Sequence, residues 1–180
     1  MLPIALDLAR LPMALVGRGE RAARRLALLR EANPADLAVY SDDPDLVGAR
    51  RRLPGAVDLA GRRVVYVVGL DAVESRRIAE RARAAGALVN VEDVPALCDF
   101  HSPSVLRRGD LSIAVSSAGA NPSLSKLVVR WLGRTFGPEW GARSAELGRR
   151  RSELRESGLS GAALFAALDD HVATARWLER

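Results

Sequence analysis

The chain has 180 residues, 48% of them apolar, which suffices for one domain of ordinary size with a small appendage and a proper core. A single cysteine, Cys98, excludes an internal disulfide and fits a reducing cytoplasm, and no run approaches the roughly 18 apolar residues of a membrane span. The net charge of +5 comes almost wholly from arginine, Lys126 being the one lysine, which suits an anionic ligand; nucleic acid is not expected, because the basic residues are spread along the chain with few aromatics to stack on.

The opening MLPIALDLARLPMALVG carries Asp7 and Arg10 and no positive segment ahead of its apolar stretch, so folded strand is expected there and not a signal peptide. Pro12 to Val16 is an apolar run ending in Gly17, and Glu20 to Ala32 follows with apolar positions at helical spacing: strand, glycine turn, helix. Leu37 to Tyr40 is a second strand. Val64 to Val68 is a continuous, largely β-branched run of the kind buried on both faces of a parallel sheet, and Glu74 to Ala85 is a helix closed by Gly86. Leu88 to Val91 is a fourth strand. A Pro-punctuated loop from Pro95 to Pro103 and an Arg-Gly-Asp turn at 108 to 110 lead to a strand over Leu111 to Val115. Helices are expected over Ser123 to Phe136, Glu139 to Glu156 and Ser160 to Leu178, with Ser160 as an N-cap. The last has an apolar face (Leu159, Leu164, Leu168, Val172) that must be covered by a helical subdomain or a dimer contact. Strands alternating with helices at these intervals predict an open, Rossmann-like α/β sheet.

Three places carry candidate chemistry. Gly17-Arg18-Gly19-Glu20-Arg21-Ala22 follows a strand and opens a helix, the context in which a glycine pattern binds a dinucleotide: Gly17 for the tight turn, Gly19 for close approach to pyrophosphate, Ala22 for helix–sheet contact. After the second strand stand Ser41, Asp42 and Asp43, where an acid accepts hydrogen bonds from the adenosine ribose and repels a 2′-phosphate; NAD is therefore expected over NADP. Asp42-Asp43-Pro44 also reads as a turn, and the Arg50-Arg51-Arg52 run competes for a 2′-phosphate. Asp93, just past the fourth strand at the sheet's carboxyl edge, is the best single catalytic candidate, though by its spacing alone it reads first as an ordinary loop aspartate. Cys98 and His101 are too few for a metal site and are expected to pack or to edge a ligand. Ser116 to Pro122 offers small residues and free N–H groups between strand and helix, or simply a cap at Asn121 or Ser123, and the arginines of 143 to 155 read as a solvated face laced with Glu146, Glu153 and Glu156.

The order of these pieces (LPIALDL, LVGRGERAARRLALL, NVEDVP, the stretch from Asp99 to Val129, then a helical tail) resembles the precorrin-2 dehydrogenase / sirohydrochlorin ferrochelatase family, also the N-terminal part of siroheme synthases. The resemblance implies an NAD-linked oxidation of the anionic tetrapyrrole precorrin-2, ferrous iron as a further substrate in some members, and a homodimer. It implies a dinucleotide-binding domain over 1–103, a dimerisation segment over 104–138 and a helical subdomain over 139–180. Dinucleotide contacts fall on Gly17, Gly19, Glu20, Arg21, Asp42 and Asp43. The family's important aspartate falls on Asp93, a metal contact only in a chelatase. Ser116 and Ser117 fall near the tetrapyrrole pocket, and Arg107 and Arg108 suit its carboxylates. Two departures stand out: Arg18 where the family commonly has glycine, pointing to solvent or toward phosphate, and Val68-Gly69-Leu70-Asp71, which lacks a hydroxyl near the nicotinamide. The competing classes are a non-enzymatic NAD-sensing module whose tail signals to a partner, and a nucleic-acid binder using the arginine-rich helix.

Overall fold

The computed structural model describes residues 2–178, so Met1, Glu179 and Arg180, which close the expected segments 1–103 and 139–180, lie outside it. The chain divides into two compact units, 1–101 and 102–180.

The first unit is built on four parallel strands, β1 (Met13–Gly17), β2 (Leu37–Tyr40), β3 (Val64–Val68) and β4 (Leu88–Val91), in the order β2-β1-β3-β4. Helices α1 (Gly19–Glu31) and α3 (Ala72–Ala84) connect them, with a single turn, α2 (Ala56–Leu59), between β2 and β3. Every residue of β1 and β3 is buried, because both faces of the sheet are covered. One face packs Val65, Val67 and Val89 against Ile78, Ala79 and Ala82 of α3; the other packs Met13, Leu15, Val64 and Tyr66 against Ala22, Leu26 and Leu29 of α1. This doubly covered parallel sheet is the Rossmann-like α/β fold expected, and the unalternating run Val64–Val68 is its sequence mark.

The boundaries differ in instructive ways. The expected strand at the N-terminus does not form: residues 2–12 hold no strand, and Asp7 Oδ1 accepts from Ala9 N at 3.1 Å in a local turn that competes with extended pairing. Pairing begins at Met13 because Pro12 has no N–H to give, although its carbonyl accepts from Arg63 N at 2.8 Å. Helix α3 starts two residues early, since Asp71 Oδ1 caps Glu74 N at 2.8 Å.

In the second unit, β5 (Ser104–Arg108) and β6 (Leu111–Val115) form an antiparallel hairpin, and α4 (Pro122–Thr135), α5 (Glu139–Glu156) and α6 (Gly161–Thr174) follow. The strand over 111–115 is thus not an extension of the parallel sheet. It pairs with its own neighbour through the two-residue turn Gly109-Asp110, where Gly109 takes φ 56°, the left-handed requirement of a tight hairpin. Asn121, not Ser123, caps α4, accepting from Leu124 N at 2.9 Å. Ser160 stands at the N-cap of α6 without a side-chain bond. Helices α5 and α6 are joined by His171 Nε2 and Glu146 Oε1 at 2.9 Å. Arg143 is not solvated as expected: its guanidinium lies 4.9 Å from the Trp140 ring centre and 5.5 Å from that of Trp177.

Candidate functional site

The strand order puts the change of direction between β1 and β3, and open α/β sheets bind ligands beyond the carboxyl ends of their strands at such a point. The turn after β1 is Gly17-Arg18-Gly19. A Cβ on Gly17 would overlap the Val68 carbonyl oxygen and lie 3.0 Å from Ala22 Cβ, so β1, β3 and α1 converge there with room only for glycine. Gly19, at φ 68°, is the opposite case: a Cβ would meet nothing within 4 Å, and the outer side of the turn is open. Arg18 is the N-cap of α1 but makes no side-chain cap, so the start of the helix presents N–H groups outward where pyrophosphate charge is favoured. These features fit a dinucleotide.

The acids after β2 reach this turn. Asp43 Oδ2 accepts from Gly19 N at 2.8 Å, and the N–H groups of Asp45 and Gly19 together hold the Asp43 carboxyl below the usual carboxylate range. Asp42 is bound by Arg18, whose Nε donates to Oδ1 at 2.5 Å and whose Nη2 donates to Oδ2 at 2.7 Å; this paired bond is the main reason the Asp42 carboxyl also lies low. The other side of the same guanidinium holds Glu74, in the first turn of α3, with Nη1 to Oε2 at 2.5 Å and Nη2 to Oε1 at 2.8 Å. Arg18 therefore points neither to solvent nor toward phosphate. It spans two carboxylates, which fix its positive charge more firmly.

Asp93 follows β4 at the same edge, in the left-handed region at φ 63°, a backbone state of the kind that strained functional turns keep. Its exposed carboxylate is paired with Arg21 Nη1 at 2.5 Å, so two residues expected in different roles, cofactor and catalysis, stand in contact. One helical turn on, Arg25 Nη2 donates to Glu92 Oε1 at 3.3 Å and its guanidinium lies 5.2 Å from the Tyr66 ring centre. Glu20 is exposed and pairs with Arg24. Cys98 packs: its Sγ donates to the Val91 carbonyl at 3.1 Å and accepts from Val91 N at 3.3 Å. Among the described residues no group of three or more His, Cys, Asp or Glu is placed to hold a metal ion.

The second unit holds the other candidates. Ser117 Oγ accepts from Asn121 N at 3.1 Å and lies 3.2 Å from Ser125 Oγ, while Ser116 Oγ accepts from Ala118 N at 3.2 Å, with Ala118 at φ 55°. The loop is thus a built turn with its small residues outward. Arg107 is exposed. Arg108 is not free: its Nε donates to the Phe136 carbonyl at 2.7 Å and its Nη2 to that of Gly133 at 3.3 Å, closing the C-terminus of α4.

Spacing pointed to Gly17, Gly19, Asp42, Asp43 and Asp93 and the family resemblance added Glu20 and Arg21; the fold gathers them on one edge. Both missed Glu74, whose signal was the Asp-x-x-Glu at 71–74, readable as a helix start but not as a partner of Arg18.

A doubly covered parallel sheet, a glycine turn opening onto a helix N-terminus and acids beyond the second strand define an α/β dinucleotide-binding domain. Residues 4–104 match the family NAD_binding_7, described as "Putative NAD(P)-binding", and the chain belongs to it. The siroheme synthase of Thiobacillus denitrificans is 37% identical over 169 residues, 87% of this chain and 34% of its own length. That of Methylococcus capsulatus is 36% identical over 134 residues, 69% of this chain and 28% of its own length. The chain therefore spans about a third of the length of these relatives. A solved structure of SirC, precorrin-2 dehydrogenase, shares the fold with a TM-score of 0.78 at 21% identity, over 99% of this chain and 93% of that one. The resemblance read from the sequence is borne out.

Proposed function

We propose that this protein oxidises precorrin-2 to sirohydrochlorin with NAD as the hydride acceptor. The observation that carries the reading is the meeting of the Gly17-Arg18-Gly19 turn, Asp42 and Asp43 with Asp93 along one sheet edge. The siroheme synthase relatives and the fold shared with SirC support it.

The N–H groups at the start of α1, from Glu20 and Arg21, would hold the pyrophosphate, and the Arg21 side chain adds positive charge. Asp42 and Asp43 would accept from the ribose hydroxyls. With Arg18 and Glu74 they leave an excess of negative charge, which favours NAD over NADP. Bound NAD supplies the hydride acceptor. Asp93, paired with Arg21, takes the proton that leaves the tetrapyrrole or orients the ring that loses it. Within the second unit the hydroxyls of Ser116 and Ser117 and the exposed Arg107 would receive carboxylates, with Arg108 fixing the strand beside them.

The same reading makes the protein a cytoplasmic homodimer. Leu124, Leu127 and Trp131 form an exposed apolar stripe on α4, and no helix of the described chain is long and apolar enough to cross a membrane. In a bifunctional enzyme Asp93 would also receive ferrous iron, as substrate for insertion into the product.

Anaerobic incubation with precorrin-2 and NAD, following NADH absorbance and the sirohydrochlorin spectrum together, tests the dehydrogenase. Asp93→Asn should keep NAD binding and lower turnover by about 10²–10⁴-fold, the usual loss of a positioned acid–base group. Unchanged turnover in that variant sinks the role of Asp93. NAD binding without any NADH formation replaces the enzyme with a nucleotide-sensing domain. Iron insertion is read separately by adding ferrous iron to the finished reaction.

A further inference from the structure

We infer that Arg18 and Glu74 set the choice between NAD and NADP, Glu74 acting as a counter-charge that prevents the arginine of the glycine turn from receiving a 2′-phosphate. The inference rests on the reading that this turn binds a nicotinamide dinucleotide.

An arginine beside the adenosine ribose is the side chain that usually accommodates the extra phosphate of NADP. Arg18 stands between the loop after β2 and the start of α3, next to Asp42, where such an arginine is placed to act. Its Nε, Nη1 and Nη2 nitrogens are all engaged, two donors on Asp42 and two on Glu74, with Nη2 serving both. The side chain is only one-third exposed and Glu74 one-fifth, so this is a fixed arrangement within the site and not a loose surface pair. The charges of Asp42, Arg18 and Glu74 sum to one negative, and Asp43, bound to the Gly19 N–H, adds another. Arg51, whose charge reaches Asp43, offsets part of this, but a phosphate entering there still meets net negative charge and an arginine with no free fork.

Neutralising Glu74 or Arg18 itself alters this balance in a defined direction. Glu74→Gln removes one negative charge and one of the two acceptor oxygens that hold Arg18, while the cap from Asp71 Oδ1 to the Glu74 backbone N–H stays in place and keeps α3 started. Arg18→Gln removes the positive charge and leaves the carboxylates unopposed. The two variants therefore act oppositely on a dinucleotide that differs only by one phosphate. A merely structural loss, by contrast, weakens both dinucleotides together.

The experiment is equilibrium titration of the full chain with NAD and with NADP at low salt, reading the ratio of the two dissociation constants. Electrostatic selection is least screened under that condition. The ratio of the NADP to the NAD constant should fall about tenfold in Glu74→Gln, and it should rise in Arg18→Gln. If wild-type protein binds NAD but both ratios stay within about twofold of wild type, or both move the same way, the inference is overturned while the dinucleotide reading stands. If wild-type protein binds neither dinucleotide, that reading falls and the inference with it.

Discussion

The two units differ most in how they bury apolar surface. Among the described residues, every buried apolar side chain except Leu106 and Leu164 belongs to the first unit. In the second, Val105, Leu124, Leu127, Trp131 and Phe165 are exposed, and the hairpin β5–β6 is a sheet of two strands, a size that is marginal by itself. The first unit carries two packed core clusters beneath its sheet edge. The second is a set of faces held by specific polar and cation–π contacts, and it leaves the apolar stripe of α4 exposed.

The comparison makes its largest prediction at the core. Leu15 is wholly buried in β1, and Leu15→Ala should cost about 2–5 kcal/mol in denaturant unfolding, the range for deleting a packed side chain. A loss below about 1 kcal/mol would show a core far more adaptable than this packing implies. Arg108→Ala comes next, at about 1–3 kcal/mol, because it strips the Phe136 and Gly133 carbonyls of a charged donor in a unit with few other supports. If that variant lost tetrapyrrole affinity with no change in stability, Arg108 would be a ligand contact and not a cap.

Trp131, 55% exposed, sharpens the contrast from the other side. Trp131→Glu should change the unfolding free energy of dilute protein by less than about 0.5 kcal/mol, as surface substitutions do, while sedimentation shows the proposed dimer weakened. An unaltered dimer would place the interface elsewhere. The smallest effect concerns pH. Two donors of Arg52 and the Gly55 N–H hold the Asp58 carboxyl down to about 2. Its folded value lies below its unfolded one, so the pair contributes fully above about pH 4 and is lost as pH falls toward 2. A carboxyl NMR titration should place the Asp58 midpoint near 2, and Arg52→Gln should raise it; a midpoint in the ordinary range means the pair does not persist in solution.

Much of the first unit was legible in the sequence because its signals are local. The run Val64–Val68 announces a strand covered on both faces, whereas the starts at Met13 and Ala72, set by the missing N–H of Pro12 and the side-chain cap of Asp71, fell one and two residues from where periodicity put them. The hairpin was half legible: the Arg-Gly-Asp turn was seen, but Ser104–Arg108 was not read as a strand, since the adjacent apolar pair Val105-Leu106 and adjacent Arg107-Arg108 hide an alternating burial in which only Leu106 is fully covered. Its pairing comes from the neighbouring strand and the turn between them, not from its own pattern.

By itself the sequence determined the alternation of strand and helix, the glycine turn and the acids that follow the second strand, because each is a matter of residues a few positions apart. Only the tertiary structure decided how those residues are used. Arg18 and Glu74 are 56 positions apart, and Arg21 and Asp93 are 72 apart. Their ion pairs exist because parallel strands carry successive loops to one edge, and a guanidinium brought between two carboxylates binds them whatever their distance along the chain.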